Sequence, residues 1–79
     1  MYSVYIVQCN DDTLYTGIAV DLTRRTSEHN SSKRGAKYTR ARRPVRLVYS
    51  KKFRDKSAAL RAEIQIKKLS RNDKLTLIK

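Results

Sequence analysis

The apolar residues of this 79-residue chain first gather in two short runs that alternate with polar ones. Residues 2–9, YSVYIVQC, and 13–19, TLYTGIA, are rich in the β-branched and aromatic types that suit a pleated, half-buried surface. Asn10-Asp11-Asp12 between them is a turn cluster, so the pair predicts a β-hairpin. Loop length decides which side chains share a face. With three loop residues Cys9 faces Thr13, Tyr5 faces Gly17, and Tyr15 is a diagonal neighbour of Tyr5 on that same face. A two-residue loop would send the tyrosines to opposite faces. The three-residue register is the expected one. It leaves a bare patch at Gly17, beside Tyr5, where another group can approach the backbone.

The period then changes. Asp21 suits the N-cap of a short helix running to about His29, on which Arg25 and His29 are four residues apart and project from one face. Residues 31–44, SSKRGAKYTRARRP, are polar and irregular, with room for a helical turn at 36–41. A third strand is expected over 45–53, with Val45, Leu47 and Tyr49 alternating against Arg46, Val48 and Ser50. Pro44 stands at its start, where a missing N–H does least harm. Asp55 or Ser57 can cap the helix that follows, AALRAEIQIKKL. Ser70 to Asp73 resembles a capping box opening a last short helix that carries Leu75 and Ile78. The chain shows no repeat and no linker, and reads as one domain over residues 1–79.

Charge changes the picture. Nineteen Lys and Arg stand against seven Asp and Glu, a net +12, and residues 1–20 hold two of the acids and none of the bases. The remainder therefore carries +14, the difference between 19 and 5. A polyanion is the natural partner, and nucleic acid the commonest one. A basic surface kept for solubility, or one that docks on an acidic protein, is the alternative. Lys37, Arg40, Arg42 and Arg43, joined by Lys33 and Arg34, surround Tyr38 in the irregular segment. Cys9 is the lone cysteine, which rules out an internal disulfide, and its apolar setting suits a small core residue. No apolar run reaches the roughly 18 residues of a membrane span. The N-terminus lacks the basic start of a signal peptide, so a cytoplasmic protein is expected.

Glu63 stands out on the third helix. At about 100° per residue it falls between Leu60 and Ala59, inside the sector that Leu60, Ile64, Ala59 and Ile66 mark as apolar. A carboxylate there is costly unless paired or holding a metal. An i,i+4 pair with Lys67 satisfies it as well as a functional role does. Likewise His29, the only histidine, suits a satisfied core or surface residue as well as a catalyst, and Arg25 alone is one basic charge among many.

Taken in order, these residues resemble the GIY-YIG nuclease superfamily. Ser3-Val4-Tyr5 and Tyr15-Thr16-Gly17 stand where its paired naming motif stands, followed by Arg25 and His29 on the first helix and Glu63 on a later one. GAKYTRARRPV and KSAALRAEIQIKKLS are similar to the short stand-alone proteins of that superfamily, an uncharacterised family. Asn72 lies nearer to Glu63 than the asparagine many catalytic members carry. The resemblance implies an α+β fold, a three-stranded antiparallel sheet flanked by helices in ββαβαα-like order. It also implies a metal-dependent endonuclease acting on nucleic-acid phosphodiesters, DNA before RNA, in repair or recombination-type processing. Glu63 would hold a single Mg²⁺ or Mn²⁺, Tyr5 would act as general base or orient the water, and Tyr15 would position the phosphate or the water. Arg25 would grip the phosphate, His29 would relay a proton or bind phosphate, and Gly17 would shape the site. Lys37, Arg40, Arg42 and Arg43 would track the backbone while Tyr38 stacks on a base. A partner protein supplying specificity, and a monomer or homodimer, fit this reading. A nucleic-acid-binding module of the same fold without strong catalysis is the alternative, and the two part at Glu63.

Overall fold

The computed structural model describes residues 1–31 and 37–78. Lys33, Arg34 and the first residue of the expected turn at 36–41 lie outside them. Strands β1 (Tyr2–Gln8), β2 (Leu14–Ala19) and β3 (Arg46–Phe53) form one sheet in the order β2-β1-β3. Helices α1 (Leu22–Ser31) and α2 (Lys37–Arg40) lie between β2 and β3 in the chain, and α3 (Lys56–Lys67) and α4 (Arg71–Leu77) follow. Both strand pairings are antiparallel, so the architecture is the expected α+β sheet with helices.

The hairpin has the three-residue register, Tyr5 opposite Gly17 and Val7 opposite Tyr15. Its loop closes through Cys9 N–H to the Thr13 carbonyl at 2.8 Å and Asp12 N–H to the Cys9 carbonyl at 2.9 Å. Asp12 takes the left-handed conformation, φ 66°, that ends such a loop and that a short polar side chain tolerates. The caps also fall as expected. Asp21 accepts from Arg24 N–H at 3.0 Å, Asp55 from Ala58 N–H at 2.8 Å and Ser70 from Asp73 N–H at 3.2 Å.

Because β1 is central, both its faces are buried. Val4 and Ile6 join Ala59 and Ile66 beneath α3, with Ile18, Tyr49, Phe53 and Ile78 packed around them. Tyr5 and Val7 join Cys9 and Val45 on the other face, with Tyr15 and Leu22 alongside. Two expectations need correction. On β3 the alternation slips at a bulge: Tyr49 pairs with Ile6 but Leu47 with Val7. Val48 is therefore extra, Val48 and Tyr49 both pack on the α3 side, and Leu47 is exposed. On α3 the inward side carries Ala59, Ala62 and Ile66, whereas Leu60 and Ile64 are 38% and 50% exposed. Small side chains let the helix settle close to the sheet, which turns the larger ones outward.

Thr16, opposite Ile6, is buried, and its hydroxyl has no hydrogen-bond partner among the described residues. An unsatisfied buried polar group costs about 1–3 kcal/mol. Thr16→Val, which keeps the shape and removes the hydroxyl, is expected to stabilise the fold by about 1 kcal/mol. The denaturant midpoint should rise at unchanged slope; an unchanged or lowered midpoint would contradict this.

Candidate active site

Tyr5 reaches its position because Gly17, its cross-strand partner, has no side chain. A Cβ at Gly17 would stand 2.5 Å from the Tyr5 hydroxyl oxygen and 2.7 Å from Cζ. The group that uses the bare patch is therefore the ring of Tyr5 itself. Helix α1 packs over this face and brings His29, which is fully buried. The Tyr5 hydroxyl lies 2.6 Å from His29 Nε2, and His29 Nδ1 lies 2.8 Å from the Thr39 hydroxyl on α2. The ring of Tyr15 meets the edge of His29 with centroids 5.4 Å apart.

Arg25, one turn before His29, hydrogen-bonds the Tyr5 hydroxyl and pairs with Glu28 at 3.2 Å. Arg24 reaches the same carboxylate at 3.4 Å. Arg24, Arg25 and Glu28, but not Tyr5 or His29, line a cleft of about 370 Å³ with Asp21 and Val20. Tyr5 is 1% exposed, so Arg25, whose side chain is 27% exposed, is what a ligand meets first.

Burial sets the protonation states. It raises the Tyr5 phenol above its usual 10, with Arg25 opposing and the charges of Tyr15 and Glu63 adding. It pushes His29 down to about 4, helped by the positive charges of Arg25 and Arg43 and opposed by Glu28. At neutral pH the pair is a phenol against a neutral imidazole. For Arg25, burial acts against the charge, but the Tyr5 hydrogen bond and Glu28 outweigh it and raise its pKa. Of the two roles expected for His29, direct phosphate binding conflicts with its complete burial.

Glu63 is on the sheet-facing side of α3, its side chain 15% exposed and paired with Lys67 at 3.5 Å. The i,i+4 pair is thus present, and the carboxylate still acts electrostatically on Tyr5. Among the described residues no three His, Cys, Asp or Glu gather as a metal-binding group. Glu63 is the carboxylate here that would hold a divalent cation, and one that keeps most of its waters, as Mg²⁺ does, needs only one or two protein carboxylates.

The basic segment divides by task. Lys37 and Arg40 are exposed. Arg42 is bound to Asp11 at 3.0 Å and to the Tyr38 carbonyl at 2.9 Å, and lies 4.0 Å over the Tyr38 ring. Tyr38 also stacks on Tyr15, 5.9 Å between centroids. It is nevertheless 39% exposed. Arg43 donates to the carbonyls of His29 at 2.6 Å and Glu28 at 3.3 Å. It caps the C-terminal turn of α1, where a cation also suits the helix dipole. Asn72 is exposed on α4, as is the naming-motif-independent pair Leu60 and Ile64 on α3. Sequence reasoning missed Thr39, although it sits in the quoted GAKYTR, and Asn30, whose amide pairs with the backbone of Val45 at 2.6 and 3.0 Å.

Comparison with known proteins places the chain in a family. The GIY-YIG catalytic domain family matches residues 1–76. A UPF0213 protein of Desulfotalea psychrophila is 59% identical over 96% of this chain and 69% of its own length. One from Streptococcus agalactiae is 53% identical over 96% and 85%. The solution NMR structure of a UPF0213 protein from Bacillus halodurans is similar with a TM-score of 0.63 and 46% identity, covering 99% of this chain and 83% of that one. No described helix is long and apolar enough to cross a membrane.

Proposed function

The chain belongs to the GIY-YIG catalytic-domain family, and from that premise we propose that it is a metal-dependent endonuclease acting on DNA. The observation that carries this reading is the buried Tyr5–His29 hydrogen bond of 2.6 Å with Arg25 on the same hydroxyl. Arg25 grips a phosphate, since its planar fork matches two phosphate oxygens. Drawing that guanidinium toward the phosphate uncovers the Tyr5 oxygen to water. Tyr5 then takes a proton from the attacking water as it passes its own to His29 Nε2. The phosphate's negative charge favours the imidazolium so formed, offsetting part of the push from Arg25. One P–O bond forms to the water oxygen and one breaks; the leaving oxygen takes a proton from solvent, and His29 gives up the one it holds to restore the resting pair. Tyr15 packs against His29 and keeps the ring in place. Glu63 would hold Mg²⁺ or Mn²⁺. When bound there, such a cation stabilises the leaving oxygen and the charge gathering on the phosphate. Lys37 and Arg40 follow the nucleic-acid backbone without reading sequence.

The Glu63–Lys67 pair supports a second reading, a binding module of this fold in which that carboxylate is a helix-surface partner. Nicking of supercoiled plasmid and cleavage of a branched duplex, in Mg²⁺ or Mn²⁺ with an EDTA control, separates the two. Wild type is expected to cut, and Glu63→Gln to cut roughly a hundredfold or more slowly with DNA retention unchanged. Salt-sensitive binding without cleavage by wild type would favour the module. Equal traces from both proteins would mean a contaminant.

A further inference from the structure

Thr39 is buried on a four-residue helix and lies behind His29, on the side away from Tyr5. Its position is determined from several directions. Arg42 N–H bonds the Thr39 carbonyl at 3.0 Å, and Asn10 N–H bonds the Arg42 carbonyl at 2.9 Å. Neighbouring Tyr38 stacks on Tyr15 and has the Arg42 guanidinium 4.0 Å from its ring centre. The hairpin loop and β2 thus anchor α2, and α2 presents a hydroxyl to His29.

The protons along this line follow from what each group can donate. The Tyr5 hydroxyl meets Arg25, which offers only donors, and His29 Nε2. A phenolic oxygen has two lone pairs, so Tyr5 can accept from Arg25 and either give its proton to Nε2 or accept Nε2–H. Only the first also leaves Nδ1–H for the Thr39 oxygen on the far side of the ring. In that arrangement the neutral imidazole carries its proton on Nδ1, and it is donated to the Thr39 oxygen at 2.8 Å.

We propose that Thr39 is a positioning residue, whose hydroxyl oxygen accepts Nδ1–H of His29 and so holds the imidazole in the one tautomer able to take a proton from Tyr5. The catalytic consequence rests on the relay proposed above; the tautomer assignment does not. A hydrogen bond at one ring nitrogen decides what the other nitrogen can do. Without the Thr39 acceptor, a buried Nδ1–H would be unsatisfied, and the ring gains by placing its proton on Nε2, facing the Tyr5 oxygen. In that tautomer His29 has no lone pair for the Tyr5 proton.

This chain has a single histidine, so imidazole ¹⁵N resonances of uniformly labelled protein belong to His29 without assignment. Wild type, Thr39→Val and Thr39→Ser are compared at neutral pH. The expected result is the Nδ1–H tautomer in wild type and in Thr39→Ser, and a shift toward Nε2–H in Thr39→Val. An Nε2–H tautomer in wild type would overturn the proposal, and needs no variant to fold. So would a Thr39→Val spectrum matching wild type. In the plasmid assay Thr39→Val is expected to lose about tenfold or more in turnover, with DNA affinity unchanged and Thr39→Ser near wild type. Full turnover in a Thr39→Val protein of altered tautomer would overturn the catalytic role. The expected tautomers in a wild type that cuts no DNA would support the assignment and count against the nuclease reading alone.

Discussion

Gly17→Ala is expected to destabilise the protein by roughly 3 kcal/mol and to abolish cleavage with it. Two effects of the added methyl oppose each other. Alanine restricts the unfolded chain more than glycine does, which would stabilise by about 0.4–1 kcal/mol. Against this, the new Cβ would lie 2.5 Å from the Tyr5 oxygen, 2.7 Å from Cζ and 3.0 Å from Cε1. Relief requires moving an aromatic ring that is 1% exposed and hydrogen-bonded to a fully buried histidine. Overpacking of this kind costs about 1–3 kcal/mol, and leaving His29 Nε2 without its partner adds about 1–3 kcal/mol more, so the steric effect wins. In a domain of this size the melting temperature should fall by about 12–24 °C. Tyr5→Phe in the same protein removes the 2.5 Å contact but not the one to Cζ, so it should restore only part of the loss. A Gly17→Ala protein with the wild-type melting temperature and an intact Tyr5–His29 bond would refute the close approach.

The second expectation concerns pH. His29 in the unfolded chain has a pKa near 6.5 and in the fold about 4. Between those values the unfolded chain binds a proton that the folded protein does not. Stability therefore falls as pH is lowered through this window and is fully present above about 6.5. The loss by pH 4 is roughly 3 kcal/mol. His29→Gln should be less stable than wild type at pH 7, because it disturbs the bonds to Tyr5 and Thr39, yet nearly flat between pH 6.5 and 4. Equal slopes for the two proteins would show that His29 is not the titrating group. Asp11 does not confuse the measurement. The Thr13 hydroxyl, with Arg42 also contributing, holds its carboxyl below the usual range, so its contribution is lost only at pH below this window.

Both expectations start from a face that the sequence made legible. A three-residue turn with an aspartate suited to its left-handed position was enough to place Tyr5 opposite Gly17 with Tyr15 on its diagonal. Helix spacing was enough to put Arg25 and His29 on one side. Depth was not legible: an i,i+4 relation says which way a side chain leaves the helix, not whether a second element covers it. The cover over His29 is α2, from a stretch whose composition suggested solvent-exposed loop. The tasks of Arg42 and Arg43 were hidden for the same reason, since a carbonyl or ring within reach of a guanidinium is a tertiary fact. On α3 the large apolar residues suggested the wrong centre for the buried face, because close helix–sheet packing selects alanines. The bulge in β3 has no glycine or proline to announce it.

The two-sided burial of β1 has a consequence for how such a chain can change over generations. Its odd positions Tyr5 and Val7 face α1 and the tyrosine–histidine pair while its even positions Val4 and Ile6 face α3, so sequence length in the hairpin strands has a parity. Loss or gain of one codon within β1 or β2 between Tyr5 and Gly17 would turn the residues beyond it to the opposite layer, whereas a change of two would keep both layers in place. Length changes in these strands, unlike those in the turn, are coupled to whether the tyrosine and the histidine still meet.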